Sequence, residues 1–169
     1  MIADATGIMP ASLQLEADQR YFDDGLEGVA AVVHGRHSQE LHASSHQRRR
    51  LILTRAIVGL APDPANSLAK LWNPAGVSLE EALAAIGVHR GRVAIAGGPQ
   101  VYSLFLKLGY DAFHLCRAVR VRIPDGLPVF SRDRFGGEPD ASLAAAGLRP
   151  GPTQMLDPEV SLTDWTKAR

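Results

Sequence analysis

The chain has 169 residues, enough for one domain with a sizeable core and little room for a second. Its hydrophobic fraction of 46% and charged fraction of 21% are those of a globular protein, and a formal net charge of zero leaves no global field to steer it to nucleic acid or an anionic membrane. Only 6% of residues are aromatic, which argues against a surface of base-stacking platforms, and one cysteine, Cys116, excludes an internal disulfide.

The N-terminus, MIADATGIMP, lacks the basic start and long apolar stretch of a secretory signal. Apolar runs elsewhere are broken before they reach the length of a membrane span, so a cytoplasmic protein with no membrane partner is expected. Glu16 to Leu26 reads as a helix. Val29 to His34 (VAAVVH) is a short apolar run rich in valine, the pattern of a strand covered on both faces, and a short helix is predicted after Gly35. Leu51 to Thr54 and Val93 to Ala96 repeat the buried-strand pattern. Between them Ser78 to Ile86 is a helix, with Ser78 as N-cap and Glu80 and Glu81 in the first turn, where the helix dipole favours them. Pro99 to Leu108 is the next helix, and Pro99 suits a first turn because its missing N–H would have no partner there. Strands alternating with helices predict a largely parallel α/β sheet. After Ala112 the texture changes: Ala112 to Ile123 alternates like a strand, Ala141 to Ala146 is a short helix, and Met155 to Trp165 would supply a last pair of antiparallel strands.

Three strand ends could bind an anion. Gly97-Gly98 stands where a buried strand turns into a helix, and a phosphate can approach closely there because no Cβ intervenes. Alone, such a pair is often only a tight turn. Gly35-Arg36-His37-Ser38 adds a helix start, a guanidinium and a hydroxyl, and Thr54-Arg55 adds another hydroxyl and guanidinium. In a parallel sheet all three turns share the carboxyl edge, where open α/β sheets bind ligands. The GxGxxG spacing of the usual dinucleotide fold is missing.

Together these residues resemble the dihydrofolate reductase-like superfamily, which includes dihydrofolate reductases and the reductase domains of bacterial riboflavin biosynthesis. Gly97-Gly98-Pro99-Gln100-Val101-Tyr102 with Phe105-Leu106 resembles the family's GGxxxYxxFL segment. The resemblance implies that this segment contacts NADPH, often through a cis Gly–Gly bond, with the tyrosine near the nicotinamide. Gly35-Arg36-His37-Ser38 matches the family's G-R-x-[ST] turn and Leu53-Thr54-Arg55 its L-[ST]-x strand end, which hold the pyrophosphate and 2′-phosphate. Asp18, four residues before Phe22, matches the acid of its DxxxF helix, and Met9-Pro10 with Leu13 resembles the mobile loop before that helix. The resemblance assigns Met9, Phe22 and Arg48 to the substrate. It implies a three-layer dihydrofolate reductase-like α/β fold over residues 1–169, with a mostly parallel central sheet, an antiparallel C-terminal strand pair and flanking helices.

Departures accompany it. Met1 falls about where the family's first strand is half finished. Cys116 stands where many dihydrofolate reductases carry a threonine that hydrogen-bonds the catalytic acid, and Ala11-Ser12 replaces their Trp-containing loop end. Asp125-Gly126-Leu127-Pro128-Val129-Phe130 is closer to the G-x-P-x-F ending of riboflavin-type reductases, although their early Lys or Arg for a substrate phosphate is missing before Arg20.

Hydride transfer from NADPH to a C=N or C=O bond requires the nicotinamide to be held against the acceptor and a proton to be delivered beside the new C–H bond. Asp18 is the candidate for the second task, against the plain alternative of a solvated helix residue among four acids in LEADQRYFDD. Tyr102 is either at the nicotinamide or in the core. Arg48, Arg49 and Arg50 read as a solvated turn for at least two of the three, with Arg48 near the position that binds the folate tail. Arg55 suits a 2′-phosphate and so favours NADPH over NADH. His42 and His46 have metal-ligand spacing but only Glu40 beside them, so no metal is expected. Cys116 reads as a buried strand residue whose thiol is no nucleophile.

The expected function is NADPH-dependent reduction of a small heterocyclic substrate, a pteridine or aminopyrimidine. A 5-amino-6-(5-phosphoribosylamino)uracil reductase-like activity is favoured over dihydrofolate reductase. A non-catalytic nucleotide-binding module of the same fold and an unrelated phosphate-binding α/β protein are the other classes. Riboflavin-type relatives often dimerise through their sheets, and the alternation in Ala112 to Ile123 would permit a homodimer.

Overall fold

A computed structural model describes residues 1–36, 45–132 and 135–167. The chain forms two compact units, residues 25–101 and residues 1–24 with 102–169.

Residues 25–101 carry a five-stranded sheet of order β3-β4-β2-β1-β5, made of β1 (Ala31–Gly35), β2 (Arg50–Leu53), β3 (Leu60–Asp63), β4 (Asn66–Trp72) and β5 (Val93–Ile95). Strands β1, β2, β4 and β5 are parallel, and only β3 runs against its neighbour. Ala31, Val32 and Val33 are almost wholly buried, as a strand covered on both faces requires. The three predicted strands are therefore present, each within about two residues of its expected span.

The β3–β4 hairpin was not expected. Its strands hold Pro62, Asn66, Ser67 and Lys70, which blur the apolar signal, yet its turn is marked by chemistry: Asp63 Oδ1 accepts the Ala65 amide at 3.1 Å. Trp72, fully buried, donates its indole N–H to the Val77 carbonyl at 2.8 Å and so fixes the turn leaving β4. Gly76 is required in that turn, since a Cβ there would lie 1.8 Å from the Val58 carbonyl oxygen. Helix α2 (Leu79–Ala85) starts on a full capping box, in which Ser78 Oγ accepts the Glu81 amide at 3.2 Å and Glu81 accepts from the Ser78 amide at 3.1 Å. The helix expected after Gly35 lies outside the described residues.

The other unit holds helix α1 (Glu16–Gly25), the antiparallel sheet β6-β8-β7 and helix α4 (Pro139–Ala145), with most of α3 (Pro99–Leu108). Its strands are β6 (Ala112–Ala118), β7 (Leu148–Met155) and β8 (Val160–Lys167). Tyr102, Tyr110, Phe113 and Phe130 pack edge-on or tilted, with ring centroids 5.2 to 6.4 Å apart, and form an aromatic core.

Two expectations are corrected here. Strand β6 ends at Ala118 instead of Ile123, and the final strand pair runs from Leu148 to Lys167 instead of from Met155 to Trp165. Strand β7 was missed because seven of its eight residues are exposed and no alternation marks it. Its prolines are tolerated because the ladder to β8 slips between Pro150 and Thr153, where no paired N–H is needed. Its turn into β8 is capped by Asp157, whose Oδ1 accepts the Glu159 and Val160 amides at 2.7 and 2.8 Å. The first residues add no strand to the five-stranded sheet; Ala3 makes a single antiparallel bridge with Leu127.

Candidate active site

In residues 25–101, the parallel neighbours β2, β1 and β5 bring their carboxyl ends to one edge. The turns that follow them touch one another. The Gly35 amide donates to the Gly97 carbonyl at 2.9 Å, and Arg55 Nη2 donates to Gln100 Oε1 at 3.2 Å. Gly97 has φ +97°, a region that side-chain-bearing residues avoid, and the Gly97–Gly98 bond is cis, as the resemblance implied. Pro99 opens α3, so the amides of Gln100 and Val101 sit in a first turn that offers them no intrahelical acceptor. Val101 is 2% exposed as a whole residue and packs in the core.

Thr54 is buried, and its Oγ1 accepts the Ala56 amide at 3.1 Å, so the hydroxyl builds its own turn and keeps one proton to donate. Arg36 and Arg55 are exposed. His37 and Ser38, expected at the cofactor, and His42, of the histidine pair, lie outside the described residues. No acid stands among residues 35–36, 54–55 and 97–101, while two guanidiniums, three glycines and a helix start do. That donor set suits the phosphates of a dinucleotide.

Of the three consecutive arginines Arg49 is exposed, as a solvated turn requires, whereas Arg50 is buried. Arg50 is 6% exposed, opens β2 between Val32 and Ala69, and donates to the Ser45 carbonyl from Nε at 3.0 Å and Nη2 at 2.6 Å. Arg49 Nη1 donates to the Ile86 carbonyl at the end of α2. Arg48 is half-buried. An arginine at the mouth of a buried strand satisfies carbonyls that water cannot reach, which sequence polarity alone does not reveal.

In residues 1–24 and 102–169, Asp18, Tyr21 and Phe22 form the sheltered face of α1, while Glu16, Gln19, Arg20 and Asp24 are exposed. Asp18 is thus no plain solvated helix residue. Its carboxylate acts on the Cys116 thiol, and its charge reaches the Tyr102 hydroxyl. Burial first, then the Asp18 hydrogen bond, pushes the Cys116 thiol up to about 12. This supports the reading of Cys116 as no nucleophile. Burial, with Asp18 adding, pushes Tyr102 up to about 12 as well. Tyr102 belongs to the aromatic core, so of its two readings the packing one describes its ring, and its hydroxyl lies within reach of the Asp18 field. Phe22 is half-buried, and Met9 is 52% exposed, just before a 3-10 turn at Ala11–Leu13.

Sequence reasoning missed His114 and Asp164. His114 Nδ1 lies 2.6 Å from Asp164 Oδ1 and 3.0 Å from Tyr21 Oη. The alternation in β6, which sets His114 and Cys116 on one face, carried a signal; the partner on β8 did not.

No family model matches the chain, and no curated protein matches it. Among solved structures, a protein assigned to riboflavin biosynthesis from Shewanella sp. PV-4 is similar over 99% of this chain and 92% of its own, with TM-score 0.62 and 16% identity. A diaminohydroxyphosphoribosylaminopyrimidine deaminase/5-amino-6-(5-phosphoribosylamino)uracil reductase from Thermotoga maritima matches 99% of this chain with TM-score 0.61 and 15% identity. The chain spans 53% of that protein's length. The fold is therefore the mixed α/β dihydrofolate reductase-like one that the motifs implied. No helix among the described residues is long and apolar enough to cross a membrane.

Proposed function

We propose that the chain is an NADPH-dependent reductase of a small heterocycle, favouring an aminopyrimidine carrying a ribosyl phosphate. The observation that carries this is the meeting of three phosphate-capable turns, through Gly35 with Gly97 and Arg55 with Gln100. NADPH would supply the hydride. Gly97, Gly98 and Gln100 would hold its pyrophosphate together with Gly35 and Arg36, and Arg55 would take the 2′-phosphate. The planar guanidinium suits that dianion and gives NADPH an advantage over NADH.

Asp18 would bind an N–H edge of the heterocycle and deliver the proton that accompanies hydride transfer, a role supported by its sheltered place on α1. Cys116, as donor to Asp18, would keep the carboxylate turned to that task. The aminopyrimidine is favoured over dihydrofolate by the fold likeness to the Thermotoga protein and by Asp125-Gly126-Leu127-Pro128-Val129-Phe130.

The test is NADPH oxidation with each substrate, paired with thermal unfolding in NADPH and NADH. The expected result is a larger shift in midpoint with NADPH and turnover of the aminopyrimidine. Turnover of dihydrofolate alone would transfer the assignment to that substrate. A shift without turnover of either would leave a binding module, and no shift would overturn the cofactor.

A further inference from the structure

The cluster of Tyr21, His114 and Asp164 has no part in the reading above. It lies one helical turn and one strand step from Asp18. Residues three apart on a helix share a face, as do residues two apart on a strand. Asp18 and Tyr21 on α1 thus meet Cys116 and His114 on β6 as two matched rungs: Asp18 with Cys116, and Tyr21 with His114. Asp164, paired with His114 across the β6–β8 ladder, braces the second rung. Tyr102 is a further titratable group that the Asp18 charge reaches, while on the neighbouring strands Cys116 pairs with Leu162 on β8 and Leu162 with Gln154 on β7.

The geometry at His114 decides what this rung does. Both oxygens approach the same ring nitrogen, Asp164 Oδ1 at 2.6 Å and Tyr21 Oη at 3.0 Å from Nδ1. A nitrogen and a carboxylate oxygen that close must share a proton, so Nδ1–H donates to Asp164 whether the ring is charged or neutral. Tyr21 then accepts a share of that one N–H. A hydroxyl–imidazole–carboxylate relay works through opposite ring nitrogens, and here both partners use one. The imidazole cannot carry a proton from Tyr21 to Asp164; it can only clamp them. The ring pair is edge-on as well, with centroids 5.8 Å apart at 64°. An exposed ion pair alone would contribute little, but the Tyr21 hydrogen bond to the same ring ties residues 93 positions apart in sequence.

We propose that His114, oriented by Asp164, is a positioning residue that holds the Asp18 face of α1 in register on β6 through the Tyr21 hydroxyl. It touches no substrate and acts through the helix. Its kinetic consequence rests on the reductase reading; its structural consequence does not.

Cys116 gives a readout free of substrate, because it is the only thiol in the chain and sits on the Asp18 rung. In the wild type it should react slowly with an aromatic disulfide reagent at mildly alkaline pH. Freeing α1 lowers the thiol toward its ordinary value, and each unit of that fall multiplies the thiolate about tenfold. His114→Ala is expected to accelerate the reaction about tenfold or more, and Tyr21→Phe by a smaller factor. His114→Asn, whose side-chain amide can donate to Asp164, should restore the slow rate. Lys167→Ala, which breaks the surface pair with Asp111 at the end of β8, should leave it unchanged. Wild-type thiol rates in folded Tyr21→Phe and His114→Ala would overturn the proposal, and so would a His114→Asn rate equal to that of His114→Ala. If His114→Ala fails to fold, Tyr21→Phe decides the matter. In turnover, His114→Ala should lower kcat while KM for NADPH holds. A wild type without turnover overturns the reductase reading and leaves the thiol measurement standing.

Discussion

The two compact units present their chemistry in different ways. Residues 25–101 offer backbone amides, glycines and two exposed arginines at the ends of parallel strands, so their candidate groups are placed by short turns. Residues 1–24 and 102–169 offer titratable side chains on one face of an antiparallel sheet, placed by pairings far apart in sequence. One arrangement suits an anion that must be held; the other suits a proton that must be moved. The reductase reading divides the labour accordingly, which makes it open to variants that should separate binding from turnover.

The largest expected effect falls on the second arrangement. Asp18→Asn keeps the size and hydrogen-bonding edge of the side chain but removes its proton chemistry, and loss of a general acid costs about 10²–10⁴ in kcat. Steady-state kinetics should show that fall while NADPH affinity, followed by fluorescence titration, is unchanged. Equal losses in both quantities would break the division. Next comes Arg55→Ala in the first arrangement. A charge-assisted hydrogen bond contributes about 1.5–3 kcal/mol, and Arg55 is exposed, so NADPH affinity should fall by the lower end, about tenfold. NADH affinity should stay constant, and a fall in kcat alone would exchange the roles of the two units.

What the sequence revealed follows the same line. Three strand ends, the Ser78 cap, the Pro99 helix and the Asp18 helix could be read because each depends on neighbours within a few residues. Strand β7 could not, because an exposed edge with two prolines looks like a loop until β8 pairs with it. Which of Arg48, Arg49 and Arg50 is buried could not be read, because polarity does not tell which carbonyl waits beside a side chain. The Tyr21–His114–Asp164 cluster escaped for the same reason: its members are separated by 93 and 50 positions, and only register brings them together. Tyr102 shows a subtler limit, since its motif named the residue but did not tell ring from hydroxyl.

A smaller effect tests the part that local sequence did encode. Ser78→Ala removes one side of the capping box on α2, and loss of such a cap costs about 1 kcal/mol. Urea unfolding should report that loss with an unchanged slope, and NADPH affinity should not move. A change in affinity would mean that α2 supports the ligand turns more directly than its hydrogen bonds indicate.

The smallest effect is a pH dependence that belongs to residues 1–24 and 102–169. The thiol of Cys116 rises from its ordinary 9.0 to about 12 on folding, and the hydroxyl of Tyr102 from 10.0 to about 12. Between those values the unfolded chain has released protons that the folded chain still holds, so each rise in pH favours unfolding. The stabilisation is complete below the unfolded values and is lost as pH climbs through the folded ones. A fully buried group would change stability by about 1.4 kcal/mol per pH unit across the window. Cys116 is only half-buried, so its share is smaller, and Tyr102 continues the slope above pH 10.0. Cys116→Ser keeps a donor for Asp18 but does not titrate there. Its unfolding free energy, measured in urea at a series of alkaline pH values, should decline less steeply than that of the wild type from pH 9.0 up to about pH 12, while Tyr102 adds the same slope to both proteins above pH 10.0. Identical slopes from the start would show that the thiol gains no protection from folding. Asp18 would then be free of Cys116, and the rung on which His114 is proposed to act would be absent.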